Sequence, residues 1–150
     1  MTAGKITREI AADGTIIVND ERCRVAFRRI RPRALEIQIA GNDNGQFGTA
    51  VLDEIALALM RERSLELFVD ASDASIPPVS VTRDWSDFLA RNRSGLKRVR
   101  ILVGSKAVAL AMEIVRHLSQ TGDLMHIYSD REAYDARKAS PEPPPSLPEP

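Results

Sequence analysis

The chain has 150 residues, 43% of them apolar and 28% charged, with 21 basic and 21 acidic side chains and a net charge of zero. That length fits one domain with a single hydrophobic core, and the charge balance gives no general pull toward nucleic acid or an anionic membrane. Aromatic residues make up 5% of the chain, too few for a platform that stacks single strands, and no stretch approaches the ~18 apolar residues of a membrane-spanning helix.

Residues 1–14 are polar, have no apolar core of the signal-peptide kind, and are expected to be flexible. Thr15 to Val18 is a short β-rich run before the turn-prone Asn19-Asp20. Arg24 to Ile30 alternates imperfectly and Leu35 to Ala40 clearly, which predicts an antiparallel strand pair broken at Pro32. Gly41 to Gly45 reads as a loop. Thr49 is placed to cap a helix to about Glu62, with Val51, Leu52, Ile55, Ala56 and Leu59 as its buried stripe.

Leu65 to Val69 and Val99 to Val103 are continuous apolar runs, the pattern of neighbouring strands buried on both faces. Between them Asp70 to Pro78 reads as a long loop, of a length often tied to function. A helix capped by Thr82, with Asp84 in its first turn and Trp85, Phe88 and Leu89 on one face, is expected to end at Gly95. Ser105 is placed to cap a helix to about Gln120, with Val108, Ala111, Met112, Val115 and Leu118 inward. Leu124 to Tyr128 is the last strand. Ser129 and Glu132 have capping-box spacing for a helix to about Lys138. The folded domain is therefore placed at 15–138, and 139–150 is expected to be a proline-rich, disordered tail.

Repeated strand–helix alternation predicts an α/β fold with right-handed parallel crossovers, a mostly parallel central sheet of about five strands with four helices. On the segments LEIQIAGN, LELFVDAS, RVRILVGSK and LMHIYSDREAYDA, the chain resembles the STAS domains (sulfate transporter and anti-sigma factor antagonist), and more closely the SpoIIAA-like, STAS/SEC14-like group. The likeness runs from about Leu35 to Lys138. It implies a sandwich of that kind in a bacterial-type regulatory protein. It further implies that the strand-to-helix loops meet a partner protein, a regulatory kinase-type partner among the candidates. An ungapped placement puts the family's phosphoacceptor serine at Ser80. There Pro78-Val79-Ser80-Val81 departs from the family's D-S-S-G-like turn.

The candidate partner-binding residues are Asn42, Asp43, Asp70, Ser72, Asp73, Ser75, Ser80 and Thr82. Trp85, Phe88 and Leu89 are the candidates for lining a small apolar pocket. Asp70, Asp73 and Asp84 gather near one sheet end, where carboxylates do acid–base work or bind magnesium, though aspartate is also a common turn and cap residue. Glu113 and His117 have one-turn spacing, but no third ligand accompanies them. His126 is expected to be half-buried on a strand. Arg22, Arg24, Arg28, Arg29, Arg31 and Arg33 form one basic crowd, and Arg91, Arg93, Lys97, Arg98 and Arg100 another, read as solvated faces.

No nucleophile–base pair, cofactor motif or metal-ligand set is legible. Cys23 stands alone, so no intrachain disulfide forms, which fits a reducing compartment. The expectation is a cytoplasmic, non-enzymatic interaction module without cofactor or metal, a homodimer being one form it can take. The competing expectation is a carrier of a small hydrophobic ligand or lipid.

Overall fold

The computed structural model describes residues 5–139; the tail expected at 139–150 lies, from residue 140, outside the described residues. Among the described residues seven strands form one sheet in sequential order: β1 (Thr7–Ile10), β2 (Ile16–Asn19), β3 (Cys23–Arg31), β4 (Ala34–Gly41), β5 (Leu65–Ala74), β6 (Leu96–Val103) and β7 (Met125–Tyr128). The helices are α1 (Ala50–Arg61), α2 (Val79–Arg91), α3 (Lys106–Ser119) and α4 (Arg131–Ala139). The α/β class and the four helices match expectation. The sheet does not: β1 to β4 pair antiparallel, and only β4 to β7 pair parallel.

Two strand expectations fail for one reason. Residues 7–10 were expected to be flexible, yet they pair with β2 from Thr7↔Asn19 to Ile10↔Ile16. Asp70 to Ala74 was expected to be loop, yet it prolongs β5 against β4 (Ala40↔Asp73, Gly41↔Ala74). Backbone ladder bonds hold both segments, and a polar sequence gives no apolar periodicity to announce them. The register slips between Gln38 and Ala40, where β5 carries one extra residue, a bulge of the kind that re-aims side chains.

Strand alternation sends residues to two unlike faces. On one face Ile37, Leu67, Val69, Val99 and Ile101 pack under Val51 and Ile55 of α1, Phe88 and Leu89 of α2, and Val108 and Val115 of α3. Each such buried aliphatic side chain contributes about 1.5–3 kcal/mol, so this is the principal core. On the other face Ala34, Phe68 and Leu102 meet Tyr134 of α4, among buried charges. Glu66 accepts from Arg31 Nη2 at 2.7 Å and from Arg100 Nε at 2.8 Å. Arg100 donates also to the Tyr128 hydroxyl at 2.8 Å. The Glu36 carboxylate accepts from Lys138 Nζ at 2.7 Å and from the Tyr134 hydroxyl at 3.1 Å.

The basic crowds stand mostly at the surface, as read: Arg22, Arg24, Arg28, Arg29, Arg33, Arg91, Arg93 and Lys97 are exposed, and Arg100 is buried. Arg28 pairs with Glu36, Arg29 with Glu62, Arg31 with Glu66 and Arg93 with Asp123.

Helix ends depart from the sequence expectation at the starts of α2 and α4. α2 begins at Val79, behind Pro78 as N-cap, because the Pro77-Pro78 pair fixes extended backbone up to the first helical residue. Thr82 is thus a first-turn residue whose hydroxyl donates to the Pro78 carbonyl, and Asp84 lies beyond the first turn. In α4 the capping carboxylate is Asp130, which accepts from the Glu132 amide at 3.0 Å, rather than Ser129. Leu118 is 57% exposed, not inward. Ser105 caps α3 as expected, accepting from the Val108 amide.

Candidate functional site

The carboxyl ends of β4, β5 and β6, with the starts of α2 and α3, enclose an apolar cavity of about 60 Å³. Ligands of open α/β sheets bind at this end of the strands. Ile39, Val69, Ala71, Val99 and Ile101 form its floor; Val81, Trp85 and Leu89 of α2 and Val108, Met112 and Val115 of α3 form its walls. Asp43, Ser75, Pro77 and Thr82 stand at its rim. The volume is far below the ~300–1,000 Å³ of drug-sized sites. It has room for a short aliphatic group.

Two glycines let the backbone close around this end. A Cβ on Gly41 would fall 2.1 Å from the Arg22 carbonyl oxygen, and φ there is +101°, a conformation natural only to glycine. A Cβ on Gly104 would fall 2.1 Å from the Ser72 carbonyl oxygen. The Gly41 carbonyl accepts from the Ser75 amide at 2.9 Å, which ties the end of β5 to the rim.

The sequence-predicted partner residues separate into two groups. Asp43, Ser75 and Thr82 line the cavity rim, with Asn42, Asp73 and Ser80 exposed nearby along the chain. Asp70 and Ser72 turn to the opposite sheet face. There Asp70 Oδ1 accepts from the Ser72 hydroxyl at 2.6 Å, and Oδ2 accepts from Arg131 Nη2 at 3.0 Å. Asp84 is exposed on α2, over the other face, so the three aspartates do not converge. Among the described residues no group of three or more potential ligands is placed to hold a metal ion. Trp85 and Leu89 line the cavity, but Phe88 does not; it is buried in the principal core. Glu113 pairs with Arg116 at 3.0 Å rather than with His117, and His126 is exposed rather than half-buried.

Sequence reasoning missed Ile76 and Val79, which are 61% and 75% exposed. They flank rim residues Ser75 and Pro77, so the cavity opens beside an apolar lip. The signal was present in Ile76-Pro77-Pro78-Val79, an apolar pair around two prolines inside a polar stretch. It missed Arg131 too, whose pairing with Asp70 spans 61 residues of sequence.

Burial pushes the Asp70 carboxyl up, but hydrogen bonds from Ser72 and the Arg131 guanidinium outweigh it and hold the carboxyl below its ordinary range. A carboxylate with a depressed folded-state pKa stabilises the fold above its unfolded pKa, and that contribution is lost as pH falls through the folded value. Arg131→Ala is expected to raise the Asp70 pKa, read as an upward shift in the Asp70 carboxyl midpoint by NMR titration. An unmoved midpoint would show that Ser72 alone sets it.

Buried Cys23 behaves oppositely. Burial, then the charges of Asp43 and Asp20, push its thiol up to about 12. The thiolate is the reactive form, so at pH 8 Cys23 is expected to resist alkylation in the native protein and to react fast in urea. Fast native labelling would contradict the burial.

No protein-family model matches this chain, and no curated protein matches it in sequence. No described helix is long and apolar enough to cross a membrane.

Proposed function

We propose that this chain is a non-enzymatic protein-interaction module, of the regulatory kind its STAS/SpoIIAA-like sequence pattern implies. In this reading the carboxyl rim of the sheet docks a partner protein and takes one of its apolar side chains into the Trp85 cavity. The observation that carries the reading is the apolar lip of Ile76 and Val79 at the mouth of a dry-walled cavity too small for a drug-sized ligand. Interface anchors occupy such pockets, surrounded by polar groups that exclude water. Asn42, Asp43, Asp73, Ser75, Ser80 and Thr82 would supply that polar surround. Asp70 and Ser72 would contribute from behind, by fixing the end of β5 through Arg131.

Ser80, exposed in the first turn of α2, is the position where a kinase-type partner would alter the rim. A phosphate there is stabilised by the helix N-terminus and makes the surface beside Val79 dianionic.

The test is affinity capture from the native cell with the wild type and with Ile76→Asp/Val79→Asp. The expected result is a partner held by the wild type and lost by the variant, with melting temperatures alike. Retention of every partner by the variant would refute the rim as the docking surface.

The apolar lining of Trp85 and Leu89 supports a second reading, carriage of a small hydrophobic ligand. Native mass spectrometry of gently purified protein separates the two: bound lipid mass favours carriage, and empty protein with no lipid-dependent rise in melting temperature removes it.

A further inference from the structure

A larger cleft lies away from the carboxyl rim, where the antiparallel wing of the sheet meets α1. β2 begins at Ile16, opposite Phe27, while β3 runs on to Arg31. Arg28 to Arg31 therefore have no β2 partner, and a cleft opens between the turn at residues 13–15, this part of β3 and α1. Its volume is about 400 Å³, within the ~300–1,000 Å³ of small-molecule sites. Buried Phe27, Leu35 and Leu65 form the floor, and Ile16 and Leu57 the sides. Glu54, Leu57, Ala58 and Arg61 follow one another at helical spacing, so one flank of α1 brings all of them to the cleft.

The charges of the cleft differ in how far they are already engaged. The Glu54 and Glu62 side chains are sheltered, 11% and 20% exposed. Glu54 Oε1 accepts from Arg8 Nε at 2.7 Å. Glu62 Oε1 pairs with Arg29 Nη2, and its Oε2 accepts from the Arg33 amide at 2.6 Å. Asp13 is exposed but folds onto its own turn, accepting from the Thr15 amide at 2.9 Å. The bases stand open. The Arg8 and Arg29 side chains are 49% and 61% exposed, and each meets its carboxylate through one nitrogen. A guanidinium carries five N–H donors, so both keep donors for a further acceptor. Arg28 reaches Glu36 on the other sheet face. Arg61 is exposed and pairs with no carboxylate among the described residues. Arg8, Arg28, Arg29 and Arg61 against Asp13, Glu54 and Glu62 leave one positive charge in excess. Arg61 ends α1, and Arg29 is held at Glu62, the next residue, so these two guanidiniums stand at one end of the cleft.

An apolar floor beside spare guanidinium donors fits an apolar body that ends in an anionic acceptor. A carboxylate matches the guanidinium fork in shape as well as charge. A neutral lipid would leave those donors unanswered, and an inorganic anion would leave the floor uncovered. We propose that this cleft binds a small amphipathic carboxylate, its apolar body on Phe27 and Leu57 and its head at Arg29 and Arg61. The site is separate from the carboxyl rim and does not depend on a partner docking there.

Octanoate is the probe, titrated into the full chain while methyl and indole resonances are followed by NMR. The expected result is saturable shifts at the Ile16 and Leu57 methyls, with a dissociation constant of about 0.1–1 mM and a still Trp85 indole. Octanol, octylammonium and acetate should each bind roughly tenfold more weakly or worse, the first two for want of the anion and the last for want of the chain. Arg61→Glu should weaken octanoate by about tenfold with circular dichroism unchanged; Arg61→Gln serves if that variant does not fold. Absence of saturation at Ile16 and Leu57 would overturn the proposal, as would shifts that appear first at Trp85. So would octanol or octylammonium binding as tightly as octanoate, or an octanoate affinity that the Arg61 variant leaves unchanged.

Discussion

Glu66→Leu is expected to destabilise the fold by about 3–5 kcal/mol, the loss typical when one partner of a buried ion pair is removed. Arg100, with 3% of its side chain exposed, would keep its charge and lose the carboxylate that Nε contacts at 2.8 Å. Arg31, 18% exposed, has more freedom to turn toward water. In the wild type burial lowers the Arg100 pKa, but Glu66 and the Tyr128 hydroxyl outweigh it and raise it; with Glu66 gone the guanidinium still does not escape by neutralising, because an arginine is effectively always protonated. Urea unfolding should show a lower midpoint with an unchanged slope. The double variant Glu66→Leu/Arg100→Met should recover much of the loss, because a well-packed apolar pair often replaces a buried ion pair at little cost. A single variant within about 1 kcal/mol of wild type would mean that water reaches this pair.

Tyr134→Ala is the second large effect, at about 3–5 kcal/mol for deletion of a buried aromatic ring. Tyr134 is the buried residue of α4, and its ring meets Phe68 and Tyr128 edge-on at centroid distances of 5.8 and 6.1 Å. The remaining attachments of α4 are charge contacts such as Lys138–Glu36 and Arg131–Asp70. Loss of the ring should therefore free α4 first. Amide exchange should rise across residues 131–139 while β4 to β6 keep their protection. Tyr134→Phe keeps the ring and loses one donor to Glu36, for about 1–2 kcal/mol. Burial, then the Glu36 charge, raise the Tyr134 hydroxyl pKa. Its contribution is complete below the unfolded value near ~10 and is lost as pH climbs past it, so α4 docking should weaken in strong alkali. Equal exchange rates in wild type and Tyr134→Ala would disprove the anchor.

What the sequence disclosed follows from where apolar side chains repeat. Leu65–Val69 and Val99–Val103 are neighbouring buried strands, Leu67 opposite Val99 and Val69 opposite Ile101, because two-sided burial leaves an unbroken apolar run. Ser105 was readable as a cap since a single hydroxyl serves a single amide. β1 was hidden, as Thr-Arg-Glu-Ile holds its place by ladder bonds and an Arg8–Glu54 contact at 2.7 Å. The eight proposed partner residues read as one patch because they are close in sequence. The pleat of β5 sends Asp70 and Ser72 to one side, while Asp43, Ser75 and Thr82, outside the strands, stand at the cavity rim on the other. Leu118 continues the helical period of Leu110 and Ile114, and periodicity alone does not say which of two apolar stripes faces the sheet.

The strictly consecutive strand order has a consequence for how this chain is made. Every strand is laid against its immediate predecessor, so none has to be threaded between two already seated. Synthesis can therefore enlarge the structure at one growing border, as an antiparallel meander to which three strand–helix units are added in turn. The newest border stays open until the next unit emerges. Ribosome-stalled nascent chains ending after β4, β5 and β6 should accordingly gain protease resistance in steps rather than all at once.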